Sequence, residues 1–421
     1  MHEHEDVLSY GGFLKIRRLL AGLTLRRAAE ASGISHTYLQ KVEKDEVEVS
    51  RAIAERVHRT LDIEADAPKH DPPTLRANTR KVCERIVYPD PRLCRETYAE
   101  LMKDAPRYLQ SVHALEFMLL MIGCGASLAT MDEKRETTTR FIRILSKMSA
   151  HLSAFQQLHF HLFKGIIEYH RGYPDDAIDD LMTVMEDDLD HKHLSLASYY
   201  LGRAQSDKMC LVTAQRHFSF CLQECRKSAN YALLAQASLY DVLNALRRGE
   251  VATAEKTWNG IEETIRFHDI EIRNPLILRI PSLFDIFRGR PKQALNTLKN
   301  TKGVEDLGDM FLMAWAAYLL DDRDTVEACA EATADLDETD ASVDTLNRKG
   351  IEAFVASFHD DAQKKENAFS SFYKNAVQRQ APIEIRLAHR LYHDWLESRR
   401  KYKTMHRMNM DMIAITKTMM K

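Results

Sequence analysis

Glycine and proline are scarce, with 15 and 11 among 421 residues. An all-β chain needs turn residues roughly every 8–12 positions, so this scarcity excludes it and helices are expected to dominate. The seven cysteines are odd in number and scattered, with no Cys-x-x-Cys pair. That removes the usual zinc and redox arrangements and points to reduced thiols in a cytoplasmic protein. No apolar run approaches the roughly 20 residues that cross a bilayer. The most apolar stretch, Leu115–Ala126, is short and contains Glu116. The opening Met-His-Glu-His-Glu-Asp lacks the basic-then-apolar order of a signal peptide. Neither export nor a membrane partner is expected.

Catalytic signatures are missing as well. There is no Walker loop, Gly-x-Gly-x-x-Gly, Gly-x-Ser-x-Gly or His-Glu-x-x-His. His159-x-His161 and His191-x-His193 place residues two apart, which diverge on a helix, and no third ligand follows at a useful spacing. Asp175-Asp176 and Asp187-Asp188 suit turns or helix ends as solvated charge. The expectation is a protein that is not an enzyme and holds no cofactor and no metal. With a net charge of −3, any nucleic-acid surface must be a local patch.

What is present is an ordinary folding composition, 45% hydrophobic and 29% charged, on a chain too long for one compact core. A break falls at Glu64–Leu75, where Pro68, Pro72 and Pro73 follow a helical pattern ending at Ile63. The expected division is a head over residues 1–66, a linker over 67–75, a body over 76–385 and C-terminal helices over 386–421. Tyr98, Leu101, Met102 and Ala105 have helical spacing, so the body begins with helix pairs.

Within residues 13–61, Leu14, Leu19 and Leu20 give a first helix its apolar stripe. Thr24 caps a second helix from Leu25 to Ala31, Gly33 permits a tight turn, and Ser35 caps a third helix reaching about Glu43. A fourth runs from Ser50 to Leu61 with Ile53, Val57 and Leu61 on one face. Through Thr24, Ala29, Gly33, Ile34, Ser35, Leu39, Val42 and Glu43 the run resembles the Cro/repressor (Xre-like) helix-turn-helix family. The resemblance implies that the third helix enters the major groove of double-stranded DNA. Ser35, His36, Thr37, Gln40 and Lys41 then become candidate DNA contacts, joined by the basic Arg26 and Arg27, while Arg18 and Glu43 match an internal ion pair. The residue after the cap, often a phosphate-binding Gln in that family, is Leu25 here. Residues 15–41 nevertheless carry a net charge of +5, which suits a phosphate-facing surface.

From Gln157 a degenerate repeat aligns Ala177, Ala214, Ala254, Ala294, Ala328 and Ala368. Twelve residues earlier stand Gly165, Gly202, Val242, Ser282, Ala316 and Ala356, and four later stand Leu181, Phe218, Trp258, Leu298, Ala332 and Phe372. Gly172, Gly249 and Gly289 lie five before three of the alanines. A small residue at a helix contact, a glycine at the turn and a large gap-filling side chain are what stacked helical hairpins require. The columns resemble the tetratricopeptide repeat family, most clearly at Gly165, Gly172, Tyr173 and Ala177 and at Leu201, Gly202, Ala214 and Phe218. That implies an all-α fold, the helix-turn-helix head being followed by a right-handed superhelical array of tetratricopeptide-like hairpins.

Head and body together resemble the RRNPP group of bacterial peptide-pheromone receptors, and Ala237–Arg248 is similar to arbitrium receptors of temperate phages. The resemblance implies a cytoplasmic homodimer, a sequence-specific transcriptional regulator whose DNA binding changes when a short signalling peptide fills the repeat groove. Asn244 matches a peptide-holding asparagine, with Arg203, Gln205, Arg247 and Arg279 as neighbouring candidates. The C-terminal residues Arg386–Lys421 carry a net charge of +6, and Met405, Met408, Met410, Met412, Met419 and Met420 supply a soft apolar face. Dimerisation through this end is favoured over a simple cap. The alternative function is a protein-interaction scaffold or antitoxin-like partner with a weak or vestigial DNA-binding head.

Overall fold

The computed structural model describes residues 8–63, 91–127, 135–186, 191–268, 276–300, 306–334 and 343–420. Among the described residues every regular element is helical, and no helix is long and apolar enough to cross a membrane. The expected linker, with its three prolines, lies outside the described residues, as do Asp187 and Asp188. The chain forms two compact units, residues 1–200 and 201–421.

The first unit begins with four short helices: α1 (Tyr10–Leu20), α2 (Leu25–Ser32), α3 (His36–Glu43) and α4 (Arg51–Thr60). The starts of α2 and α3 have a local cause. The Thr24 hydroxyl accepts from the Arg27 N–H, and the Ser35 hydroxyl accepts from the Tyr38 N–H, satisfying donors that a helix N-terminus leaves open. At the end of α2, Gly33 takes φ +64°, a left-handed conformation that costs glycine nothing. Its N–H meets the Glu30 carbonyl and the following Ile34 N–H meets that of Ala29, which turns the chain sharply into α3. Phe13, Leu14, Ile16, Ala28, Ala29, Leu39, Val42, Val57 and Leu61 form the core of the head. The stripe expected on α1 is therefore shifted: Leu14 is fully buried, but Leu19 and Leu20 are only half-buried. Phe13 and Ile16 fill the core in their place, and Arg18 is drawn inward by Glu43.

The rest of this unit is α5 (Pro91–Lys103), α6 (Ala105–Leu109), α7 (Ala114–Ser127), α8 (Arg135–Lys147), α9 (Ala154–His170), α10 (Pro174–Met185) and the start of α11 (His191–Asp207). Helix α7 contains the most apolar stretch of the chain, and Ala114 through Ile122 are buried apart from Glu116. A helix that is apolar all round belongs at the centre of a helical stack. Tyr98, Leu101 and Ala105 are buried as their spacing suggests, while Met102 faces outward. The paired histidines take structural places. His159 packs edge-on against His193, and His161 bonds Asp180 at 2.8 Å.

The second unit completes the repeats with α12 (Leu211–Lys227), α13 (Tyr231–Arg248), α14 (Val251–His268), α15 (Leu276–Phe287), α16 (Pro291–Asn300), α17 (Leu307–Leu319), α18 (Arg323–Ala334), α19 (Val343–Ser357), α20 (Ala362–Gln378), α21 (Pro382–Ser398) and α22 (Tyr402–Met419). One continuous hydrophobic core runs from Met209 to Met419. The small-residue column has a direct physical basis. A Cβ on Gly202 would stand 2.6 Å from the Phe218 ring, and one on Gly165 would stand 2.7 Å from the Leu181 side chain. The turn glycines Gly172, Gly249 and Gly289 all have positive φ, but Met209 fills the equivalent place before Ala214 at φ +59° without being glycine.

The repeat alignment is corrected beyond Ala294. Ala177, Ala214, Ala254 and Ala294 are each the fourth residue of their helix and fully buried. In α18 the fourth residue is Val326, also fully buried, whereas Ala328 and Ala332 are exposed. Two residues along a helix amount to about 200°, so a slip of two turns the aligned alanine to the opposite face. Ala368, half-buried beside the buried Phe369, is likewise out of register. The methionine face divides in the same way. Met408 and Met419 are buried and Met405 and Met412 pack against the core, while Met410 and Met420 stand exposed with Tyr402 and Ile413.

Candidate DNA interface and groove residues

On α3, His36 and Gln40 lie one turn apart, as do Thr37 and Lys41, and all four are exposed. The opposite side of the helix, Leu39, Val42 and Glu43, is buried. Burial of that face fixes which side chains can reach a groove. Ser35 is exposed at the cap, with its hydroxyl bonded to the first turn, and Arg26 and Arg27 are exposed on α2. Arg26 pairs with Glu30 at 3.1 Å, but both side chains are more than 60% exposed. Such a pair contributes at most about 1 kcal/mol, so a phosphate can displace Glu30.

The frame beneath this surface is the Arg18–Glu43 pair. The guanidinium donates from Nε to Oε1 at 2.5 Å and from Nη2 to Oε2 at 2.7 Å, and its Nη1 reaches the Leu23 carbonyl at 3.0 Å. One buried side chain thus holds the end of α1, the α1–α2 loop and the end of α3 in a single geometry.

In the second unit the five groove candidates separate. Asn244 is fully buried. Its Oδ1 accepts from the Ser206 hydroxyl at 3.0 Å and its Nδ2 donates to the Leu211 carbonyl at 3.0 Å, joining α13 to α11 and to the start of α12. The Ser206 oxygen in turn accepts from Arg247 Nη1 at 2.8 Å, and Arg247 also meets Asp207 at 3.2 Å. Asn244 therefore holds Ser206 and, through it, Arg247; its own amide has no surface left for a ligand. Arg203 lies over the Tyr240 ring at 4.3 Å, a cation–π contact on the same two helices. Gln205 is half-buried and stands apart from this network. Arg279 is also apart, pairing with Asp306 and, at 2.8 Å, with Asp309 on α17.

Arg386 joins this region from far along the chain. Its guanidinium donates to the carbonyls of Arg247 and Leu246 at 2.6 and 2.8 Å, putting a cation on the negative C-terminal end of α13, where the Leu246 oxygen also accepts the Gly249 N–H. Burial pushes the neighbouring Glu384 carboxyl up, against the opposing pull of Arg247 and Arg386. A separation of 139 residues leaves no local signal for such a contact.

One turn before Asn244, burial pushes the Asp241 carboxyl up to about 6, opposed by a hydrogen bond from Gln215 and the charge of Arg248. Its Oδ1 has no hydrogen-bond partner. Because the folded-state value is raised, the folded chain holds this proton more tightly than the unfolded chain. Stability from this group is greatest below about pH 4 and is lost as pH rises through 6. Asp241→Asn removes the ionisation, so the variant is expected to gain on the order of 2 kcal/mol over the parent between pH 4 and 7. Urea unfolding across that range checks it, and a constant difference between the two proteins would show that Asp241 does not titrate there.

Residues 14–67 match the helix-turn-helix family HTH_3. No curated protein matches the chain. Among solved structures, the apo form of the quorum sensor NprR from B. thuringiensis superposes with a TM-score of 0.60 at 13% identity, covering 82% of this chain and 99% of that one. A Rap protein complexed with competence and sporulation factor gives 0.59 at 12%, covering 82% and 98%. NprR in complex with its cognate peptide NprX gives 0.54 at 13%, covering 81% and 99%. At such identities these likenesses establish a shared fold.

Proposed function

We propose that this chain is a sequence-specific DNA-binding transcriptional regulator of the RRNPP type, controlled by a short signalling peptide in the groove of its repeats. The observation that carries this reading is the union of two parts in one chain. The first is a helix-turn-helix head whose seven candidate contacts are all exposed. The second is a helical-repeat body sharing its fold with a quorum sensor that has been solved with a cognate peptide. Gln40 is the residue suited to an adenine edge, and Lys41 to a guanine or a phosphate. Arg203 and Arg247, steadied by Tyr240 and Ser206, are the groove residues suited to a peptide's carboxylate or carbonyls. Arg279 becomes available to a ligand only by exchanging its acidic partners, and Asn244 acts by positioning Arg247. A homodimer closing on the C-terminal helices, cytoplasmic location and an arbitrium-type lysis–lysogeny role belong to the same reading.

Selection from random duplexes with the full chain tests the head. A single preferred sequence, with log K falling steeply against log salt, is expected; enrichment of no sequence overturns the reading in favour of an interaction scaffold. Thermal stabilisation by a library of short peptides tests the body, since a ligand bound only to the folded state raises its stability. Arg247→Ala is expected to abolish that stabilisation while Gln205→Ala leaves it in place.

A further inference from the structure

Within the first unit the head and α8 enclose an open cleft of about 690 Å³. Its head side is the end of α1 and the loop to Thr24, and its α8 side carries Glu136, Arg140, Arg143 and Lys147. These four stand at spacings of four, three and four along α8, one stripe of a helix. The other side of α8, Phe141, Ile142 and Leu145, is buried, so the stripe is held in place by packing. Arg140 donates to the Leu20 carbonyl at 2.5 Å and docks the stripe on the head. Arg143 and Lys147 are exposed, and neither makes an ion pair or side-chain hydrogen bond among the described residues.

The two cations therefore line the same cleft as Thr24, which starts the helix that bears Arg26 and Arg27. Arg140, Arg143 and Lys147 line the cleft with Glu136, and Thr24 on its head side caps the helix that carries Arg26, Arg27 and Glu30, so the basic stripe of α8 approaches the basic start of α2. It borders the position where Leu25 supplies no polar group for a phosphate. No acid among the described residues lies within bonding distance of Arg143 or Lys147.

We propose that Arg143 and Lys147 are a second DNA-backbone contact, through which the body grips phosphates flanking the half-site that α3 reads. The inference rests on the head being the DNA reader. Phosphate contacts fix register and add affinity without sequence information. The body would then influence DNA affinity through the placement of α8 against the head as well as by positioning the head.

The test uses the full chain, fluorescently labelled random-sequence duplexes and a salt titration. Arg143→Ala/Lys147→Ala is expected to make the slope of log K against log salt shallower by about two, one for each lost phosphate contact. Binding should weaken equally for every duplex, and the sequence enriched by selection should stay the same. Gln40→Ala is expected to do the reverse, changing the enriched sequence while keeping most of the slope. If the parent binds duplexes and the double variant keeps its slope, the α8 contact is wrong while the head reading stands. If the parent binds no duplex, the head reading fails and takes this inference with it. Inorganic phosphate separates the remaining source: if it raises the melting temperature of the parent and not of the double variant, with the salt slope unaltered, the cleft is an anion site and the proposal is overturned.

Discussion

Arg18→Ala is expected to cost the head about 3–5 kcal/mol, because it leaves the Glu43 carboxylate buried without a counter-charge. The partners' side chains are only 10% and 6% exposed, so water cannot replace the guanidinium. The loss is also spread over three elements, since the same group serves the Leu23 carbonyl. Amide hydrogen exchange resolves the effect, with protection in α1–α4 collapsing and the second unit unchanged. Duplex binding should disappear with it. Replacing both partners by apolar residues, Arg18→Met with Glu43→Leu, is expected to restore much of the protection, because two buried charges are then removed together. A single variant that loses less than about 1 kcal/mol would mean that the pair is effectively solvated.

Phe218→Ala in the second unit carries a comparable penalty, about 3–5 kcal/mol, for a fully buried ring replaced by a void. The ring lies where Gly202 admits it, so the two positions are one packing unit. Gly202→Ala alone adds a methyl 2.6–2.9 Å from three ring carbons. That overpacking costs about 1–3 kcal/mol, more than the roughly 1 kcal/mol that alanine gains in helix propensity. Combining Gly202→Ala with Phe218→Leu relieves the clash, so the pair is expected to lose less than the sum of the two single changes. Urea unfolding of the full chain measures all three, and strict additivity would show that the glycine and the ring are not in contact.

Both variants lie in parts of the molecule that were readable in advance, and for related reasons. Thr24, Gly33 and Ser35 act on backbone groups within five residues of themselves, so their spacing carries the geometry of the head almost completely. Gly202 and Phe218 are 16 residues apart on consecutive helices, a separation set by the hairpin itself and hence repeated along the chain. The alignment failed at α18, whose turn has the same three residues as those before α10, α12 and α16 but whose fourth position is Val326 and not alanine. Ala328 then looked like its predecessors in spacing while the helix buried Val326. A sequence column cannot register a rotation of about 200°, because alanine is acceptable on either face.

The candidate site shows the same division more sharply. That Asn244 belongs to a helix, and that Arg203 and Arg247 share its neighbourhood, followed from periodicity and resemblance. Which way Asn244 turns did not, because it depends on the Ser206 hydroxyl and the Leu211 carbonyl, each more than 30 residues distant. Arg386 and the α8 stripe were invisible for the same reason, one joined to its partner across 139 residues and the other docked on Leu20 across 120. By itself the sequence determined what local hydrogen bonding and helical period control: the helix-turn-helix, the hairpin repeat and the exposed face of α3. Tertiary structure alone decided which polar side chains are satisfied inside the fold and which remain for a ligand, because that depends on donors and acceptors brought together from distant helices.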